Sequence, residues 1–167
     1  AGLAISADAI SISTAGVVPA IRRFTAEKER FRLIISLAAP TPALRLPLMP
    51  IEERWPLAEL AQAVREHAAV SKDRVTLAYV GVSGVNMSRQ AAQDLAGLFA
   101  GVRVKVNLIA VNDPSGRFTP PSEDEVRAFR DELSQFSIPL VRRYAGGSDI
   151  NAACGTLAAT RAGGEVV

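Results

Sequence analysis

Cysteine and histidine are nearly missing from this chain: Cys154 and His67 are the single representatives of their types among 167 residues. One cysteine excludes an internal disulfide and any metal site built from several thiolates, and it fits a reducing compartment. No apolar run approaches the ~18 residues that a membrane helix requires. The beginning of the chain carries no signal-peptide pattern. A cytoplasmic protein without membrane attachment is the expectation.

Neither sign of charge dominates: 19 lysines and arginines face 17 aspartates and glutamates. The formal net charge is +2, which permits an RNA partner without arguing for one, because nucleic-acid binders concentrate basic residues on one face. Arg22, Arg23, Lys28, Arg30 and Arg32 gather around one helix and its exit, and Arg142 and Arg143 follow much later. The first group reads as a solvated helix face. A glycine-rich phosphate fingerprint is missing too. The stretch "GVSGVN" comes too late in its strand and lacks the third glycine, which excludes an ordinary Rossmann or P-loop site. His67 sits mid-helix beside Glu66 and reads as a partly exposed helix residue rather than a catalytic base. Nothing in the spacing brings it to Cys154 as a Cys–His hydrolase would require. The carboxylates Glu52–Glu53 and Glu123–Glu125 occupy a loop and a helix start, so no acid/base pair is implied.

What remains is an ordinary globular composition, 49% hydrophobic and 22% charged, with enough length for one domain and a real core. The hydrophobic period switches repeatedly between two and about 3.6. Strands are expected at Ala9–Thr14, Arg32–Ala38, Val75–Val82, Val102–Val111 and Ile138–Tyr144. Helices are expected after Gly16, with Pro19 near the start; after Pro56, with Leu57, Leu60, Ala61 and Val64 inward; after the cap Ser88, ending at Gly101; and after the Ser122–Glu125 capping box. The proline-broken segment Ala39–Pro56 is expected to be loop.

This alternation predicts an α/β fold: a parallel sheet of about four βα units plus a terminal strand, with right-handed crossovers. An open doubly wound sheet and a part of a larger barrel both satisfy it. In either, ligands collect at the C-terminal ends of the strands, which singles out Ser13–Thr14, Ser36, Ser83–Asn86 and Asn112–Asp113. Cys154 lies beyond the last strand in "SDINAACGTL", a small-residue, polar setting where Ser148 or Asp149 could cap a helix. A thiol near helix N-terminal amides is a better nucleophile; a structural cysteine is the other reading.

The motifs "ISISTAGVVPAIRRF", "RLIISLAAP", "LMPI", "KVNLIAVN" and "SDINAACGTL" occur in an order and spacing that resembles the radical-SAM adenine-C2 RNA methyltransferases, a family that includes dual-specificity ribosomal and transfer RNA methyltransferases and antibiotic-resistance relatives. The resemblance covers nearly the whole chain. It implies the back part of a partial (β/α)6 barrel over residues 1–144, followed by a C-terminal segment, 145–167, that carries the cysteine. It implies S-adenosylmethionine (SAM) as cofactor, with Ser13, Ser36 and Asn112 at SAM-contacting positions. Cys154 matches the cysteine that accepts a methyl group from one SAM. In the family a radical made from a second SAM then takes hydrogen from that S-methyl group, and the carbon radical attacks adenine C2. The C-x-x-x-C-x-x-C loop for the [4Fe–4S] cluster, a glycine–glutamate motif and a second catalytic cysteine belong to a region that is not in this sequence. The expectation is therefore a fragment or truncated product, inactive alone, with RNA as partner of the complete enzyme and with self-association through an open strand edge. The alternative is a diverged, cluster-free module binding SAM, a nucleotide or a protein. Departures from the family pattern are Ala38 where it has a SAM-pocket histidine, "NDP" for N-P, Gly146 for an arginine in "GGSDI", and "CGTL" for C-G-Q-L.

Overall fold

The computed structural model describes residues 4–28, 30–113 and 115–143. Within them five strands form one sheet: β1 (Ser11–Thr14), β2 (Arg32–Ser36), β3 (Val75–Gly81), β4 (Val104–Ala110) and β5 (Leu140–Arg142). Spatial order equals chain order, and every neighbouring pair is parallel. A doubly wound sheet reverses the direction of strand addition partway along. Here each strand joins the same growing edge, so right-handed crossovers put the intervening helices on one face. The winding is that of a barrel segment.

The crossovers carry α1 (Val18–Ala26), the single turn α2 (Pro42–Arg45), α3 (Leu57–Val70), α4 (Arg89–Leu98) and α5 (Glu123–Gln135). Strand alternation sorts the two sheet faces. Leu33, Ile35, Val75, Leu77, Tyr79, Val104, Val106 and Leu108 join Val18, Ile21, Leu60, Val64, Leu95 and Phe129 of the helices in one core. Tyr79 stacks on Phe129 with centroids 5.4 Å apart, a geometry that adds to the burial of two large rings. The opposite face is mixed. Register aligns Ser13, Ile34, Thr76 and Lys105 in one row and Ser36, Ala78, Asn107 and Val141 in the next. A face of hydroxyls, an amide and a lysine between small apolar residues is suited to lining a cavity rather than to dry packing.

The capping signals of the sequence are realised. Ser88 Oγ accepts the Ala91 amide at 3.1 Å, and Ser122 and Glu125 form the reciprocal box (3.2 and 2.8 Å). Arg22, Arg23, Lys28, Arg30 and Arg32 are all exposed. Two expectations are corrected. The segment expected as loop contains α2 and a 3-10 turn at Pro50–Glu53; Thr41 Oγ1 accepts the Leu44 amide at 3.4 Å with Pro42 as first helical residue, so proline here starts a turn instead of preventing one. His67 is buried, not partly exposed. Its Nδ1 lies 3.0 Å from Thr25 Oγ1 and its ring 5.6 Å from that of Phe24, both on α1. All five strands are also shorter than expected.

Candidate functional site

The C-terminal ends of the strands form a rim built from backbone turns cross-braced by buried side chains. At the exit of β1, Thr14 Oγ1 accepts the amides of Gly16 (3.2 Å) and Val17 (3.3 Å), turning the chain into α1. Gly16 has φ 108°, and a Cβ there would stand 3.0 Å from Arg45 Nη2 and 3.1 Å from Leu60. Glycine is required for both reasons. Arg45 is fully buried; it donates to Glu52, to the Trp55 carbonyl (3.4 Å) and to the Ala15 carbonyl (3.0 Å). Glu52 in turn accepts the Leu57 amide at 3.0 Å, at the start of α3. One buried ion pair thus ties the β1 exit to the β2–α3 connection.

At the exit of β2 the chain leaves the sheet abruptly. The Leu37 amide still bonds to Ala78 (3.0 Å), but the Ala39 amide turns back onto the Leu37 carbonyl at 2.7 Å. Ala38 between them has φ 59°. A three-residue turn with a non-glycine residue in the left-handed region is strained. Asn86, fully buried, spans this turn and the exit of β3. Its amide nitrogen donates to the carbonyls of Ala38 and Val80, each at 2.8 Å, and its oxygen accepts the Val82 amide at 2.8 Å.

Beyond β3, Ser83 Oγ and the Gly84 amide donate to Glu125 (2.9 and 3.2 Å), which also accepts the Ser122 amide. The Ser122 backbone bond, followed by the Ser83 hydroxyl, holds the Glu125 carboxyl below its ordinary pKa of 4.5. Beyond β4, Asp113 collects the Ser115 hydroxyl (2.6 Å) and the amides of Ser115 and Phe118, both at 2.9 Å. The Ser115 hydroxyl is the main cause that its pKa lies below the ordinary 3.8. Both carboxylates stay charged near neutrality and organise loops; neither is placed as a proton donor.

Ser13, Ser36 and Asn112 come to the same end of the sheet. Ser13 and Ser36 lie on adjacent strands and the same face, staggered by one two-residue step along the strand direction, or roughly 6–7 Å. Asn112 follows β4, two strands from β2. Ser13 is exposed and the other two are half-buried. Among the described residues neither serine hydroxyl has a hydrogen-bond partner in the protein, so both are available to a polar ligand. The hydroxyls and carboxylate of SAM, the cofactor that the resemblance implies, are groups that such hydroxyls bond. Ala38 offers only its backbone where the resemblance expects a histidine. A four-iron cluster does not fit: it needs several cysteine thiolates, the chain has one cysteine, and among the described residues no group of three or more His, Cys, Asp or Glu could hold a metal. Cys154, with Gly146, Ser148 and Asp149, lies outside the described residues.

A groove of about 840 Å³ lies at the other end of the strands, lined by Phe24, Lys28, Arg30, Arg32, His67 and Lys72 among others. The C-terminal ends of α1 and α3 meet there, and cations complement their exposed carbonyls. Asp8 and Asp73 line it as well. Asn86, Arg45 and Glu52 are the rim residues whose roles the sequence did not disclose. Asn86 lies within a strand-end stretch already singled out, whereas the charged pair sits in a segment read as loop.

Scanned against models of protein families, the chain gives no match. Individual proteins do match it over nearly its whole length. A probable RNA methyltransferase of Anaeromyxobacter sp. strain Fw109-5 is 56% identical over 159 residues, covering 94% of this chain and 47% of that protein. A dual-specificity RNA methyltransferase of Anaeromyxobacter dehalogenans is 42% identical over 157 residues, covering 93% and 42%. The crystal structure of a radical SAM methyltransferase from Sphaerobacter thermophilus superposes with a TM-score of 0.86 at 40% identity, covering 92% of this chain and 46% of that one. The chain spans about half the length of the curated relatives it matches.

Proposed function

The chain is a homologue of the radical-SAM RNA methyltransferases, and we propose that it forms the rear of the barrel in such an enzyme, the part that holds one side of SAM at the strand ends. The observation that carries this reading is the rim itself: a sheet wound in one direction, with hydroxyls of Ser13 and Ser36 that have no partner among the described residues, at the same end as Asn112. SAM, when bound, supplies the transferable methyl group. Ser13 and Ser36 would orient it through its hydroxyl and carboxylate groups, with Asn112 at the β4 exit on the same rim. The strained β2 turn brings main-chain polar groups to the same rim.

In this reading Cys154 is the methyl-carrying nucleophile, whose thiolate would accept the methyl group that SAM supplies. The methylated position is adenine C2 of ribosomal and transfer RNA. The [4Fe–4S] cluster belongs to the complete enzyme and is ligated outside this chain. The chain alone is therefore inactive. Incubated with iron, sulfide, reductant, SAM and ribosomal RNA, it should give no C2-methyladenosine by mass spectrometry of digested RNA. A longer protein that contains it and an upstream C-x-x-x-C-x-x-C should give the product, and should lose it on Cys154→Ala. Methylation by the chain alone, or full activity of the Cys154→Ala enzyme, sinks the reading.

A second reading is favoured by one feature, Ala38 in place of a pocket histidine. It makes the chain a diverged, cluster-free module that binds SAM, a nucleotide or a protein. The coding sequence decides: a start codon directly before Ala1 with no cysteine motif upstream supports this alternative.

A further inference from the structure

We infer that Asn86 is a positioning residue, which fixes the β2 exit turn so that Ser36 and the Ala38 position face the ligand end of the sheet in one arrangement. The inference rests on the proposed SAM site for what the turn serves, but the clamp itself is argued from geometry alone.

Asn86 is fully buried and uses both its amide hydrogens on carbonyls, Ala38 on one side and Val80 on the other, at 2.8 Å each. Its oxygen takes the Val82 amide at 2.8 Å. Its own backbone carbonyl accepts the buried Tyr79 hydroxyl at 2.7 Å. Burial raises the Tyr79 pKa far above its ordinary value of 10.0, so that hydroxyl remains a donor. Tyr79 and Val80 are in β3, Val82 directly follows it, and Ala38 follows β2. A single side chain therefore joins the exits of two adjacent strands, and the Tyr79 hydroxyl secures its own backbone.

The far end of the clamp is the strained residue. Ala38 at φ 59° sits in the left-handed region that alanine avoids, and its carbonyl is the one that Asn86 holds. Without that bond, Ala38 can relax to negative φ and the chain can continue as extended strand from Ser36, which changes where the rim lies. A buried amide with every hydrogen engaged has one geometry it can satisfy. That is what a positioning group needs.

Ala38→Gly removes the strain without touching the clamp, so it reports whether the turn is still held. With Asn86 present, Ala38→Gly should raise Tm by about 3 °C, since glycine accepts this φ. In an Asn86→Ala background the turn relaxes and the same change should raise Tm by about 0 °C. Equal rises in both backgrounds show the turn is held by something else and overturn the inference. If Asn86→Ala does not fold, Asn86→Ser, too short to span both carbonyls, takes its place in the cycle.

The second arm is calorimetric titration with S-adenosylhomocysteine. Asn86→Ala should weaken binding about tenfold or more. Tyr79→Phe, which removes a bond of similar burial but leaves the amide in place, should lower Tm yet change affinity less than about threefold. Equal affinity losses in the two variants, or none in Asn86→Ala, make Asn86 a merely structural residue. If the unaltered chain binds no S-adenosylhomocysteine, the SAM reading of the rim fails and the positioning role with it, while the thermal cycle still decides whether the clamp holds the turn.

Discussion

Arg45→Met offers a sharp test of how the rim is held. The guanidinium is fully buried and its partners are Glu52 and the carbonyls of Trp55 and Ala15. Methionine restores much of the volume and none of the donors. Glu52 then keeps only the Leu57 amide, and two carbonyls lose their donor. Breaking a buried pair from one side costs about 3–5 kcal/mol. At about 2–4 °C per kcal/mol for a chain of this size, Tm should fall by roughly 6–20 °C. Arg45 Nε is buried with no partner among the described residues, so even the intact pair is incompletely compensated. Replacing both members, Arg45→Met with Glu52→Leu, should therefore cost clearly less than the two single changes summed. Urea unfolding monitored by far-UV circular dichroism measures all four proteins under one two-state treatment. A single-variant loss below about 1 kcal/mol, or strict additivity in the double variant, would show that the pair does not brace the rim as described.

Other outcomes follow from the same structure. Burial holds the His67 imidazole below its ordinary pKa of 6.5; the unfolded chain then takes up the proton more readily, so the stability this group contributes above pH 6.5 is lost as pH falls through its folded value. His67→Gln should flatten the change in unfolding free energy between about pH 7.5 and 5.5, and an unchanged slope would contradict the burial. Ser122→Ala should cost about 1 kcal/mol by removing a helix cap. The Glu125 contribution, present above its unfolded value of 4.5, should disappear as acid carries pH through its lowered folded value; urea melts between neutral and acid pH read both. In β1 Ile12 is 42% exposed, and a strand edge that is unpaired among the described residues predicts concentration-dependent association. Sedimentation velocity should show it weakened by Ile12→Lys; a monomer at every concentration would refute it.

The sheet was legible because each unit carries its own signals. "VTLAYVGV" and "VRVKVNLIAV" have strand periodicity without reference to anything distant, and the Ser122–Glu125 box is complete within four residues. The choice between a doubly wound sheet and a barrel segment was not legible in the alternation, since it depends on which edge each strand joins; only the family resemblance pointed to the barrel. Ser13, Ser36 and Asn112 fall within the wider set of strand-end residues that the parallel-sheet rule singles out; their choice as SAM-contacting positions comes from the family resemblance. The bracing of that rim was hidden. Arg45 bonds a carbonyl 30 residues away, and charge next to proline reads as solvent-exposed loop. Asn86 acts mainly on backbone carbonyls, which leave no mark in side-chain pattern. His67 looked half-exposed beside Glu66 because its partner Thr25 lies 42 residues earlier, across the α1–α3 packing.

The most direct test is where S-adenosylhomocysteine touches the folded chain. Titrated into isotope-labelled protein and followed by amide resonances, it should shift Ser13, Ser36, Ala38, Asn86 and Asn112, together with their strand-end neighbours, and leave Phe24, Lys28 and Lys72 in the opposite groove unmoved. Shifts confined to that groove, or none at all at saturating ligand, would contradict a SAM site at the strand C-terminal ends.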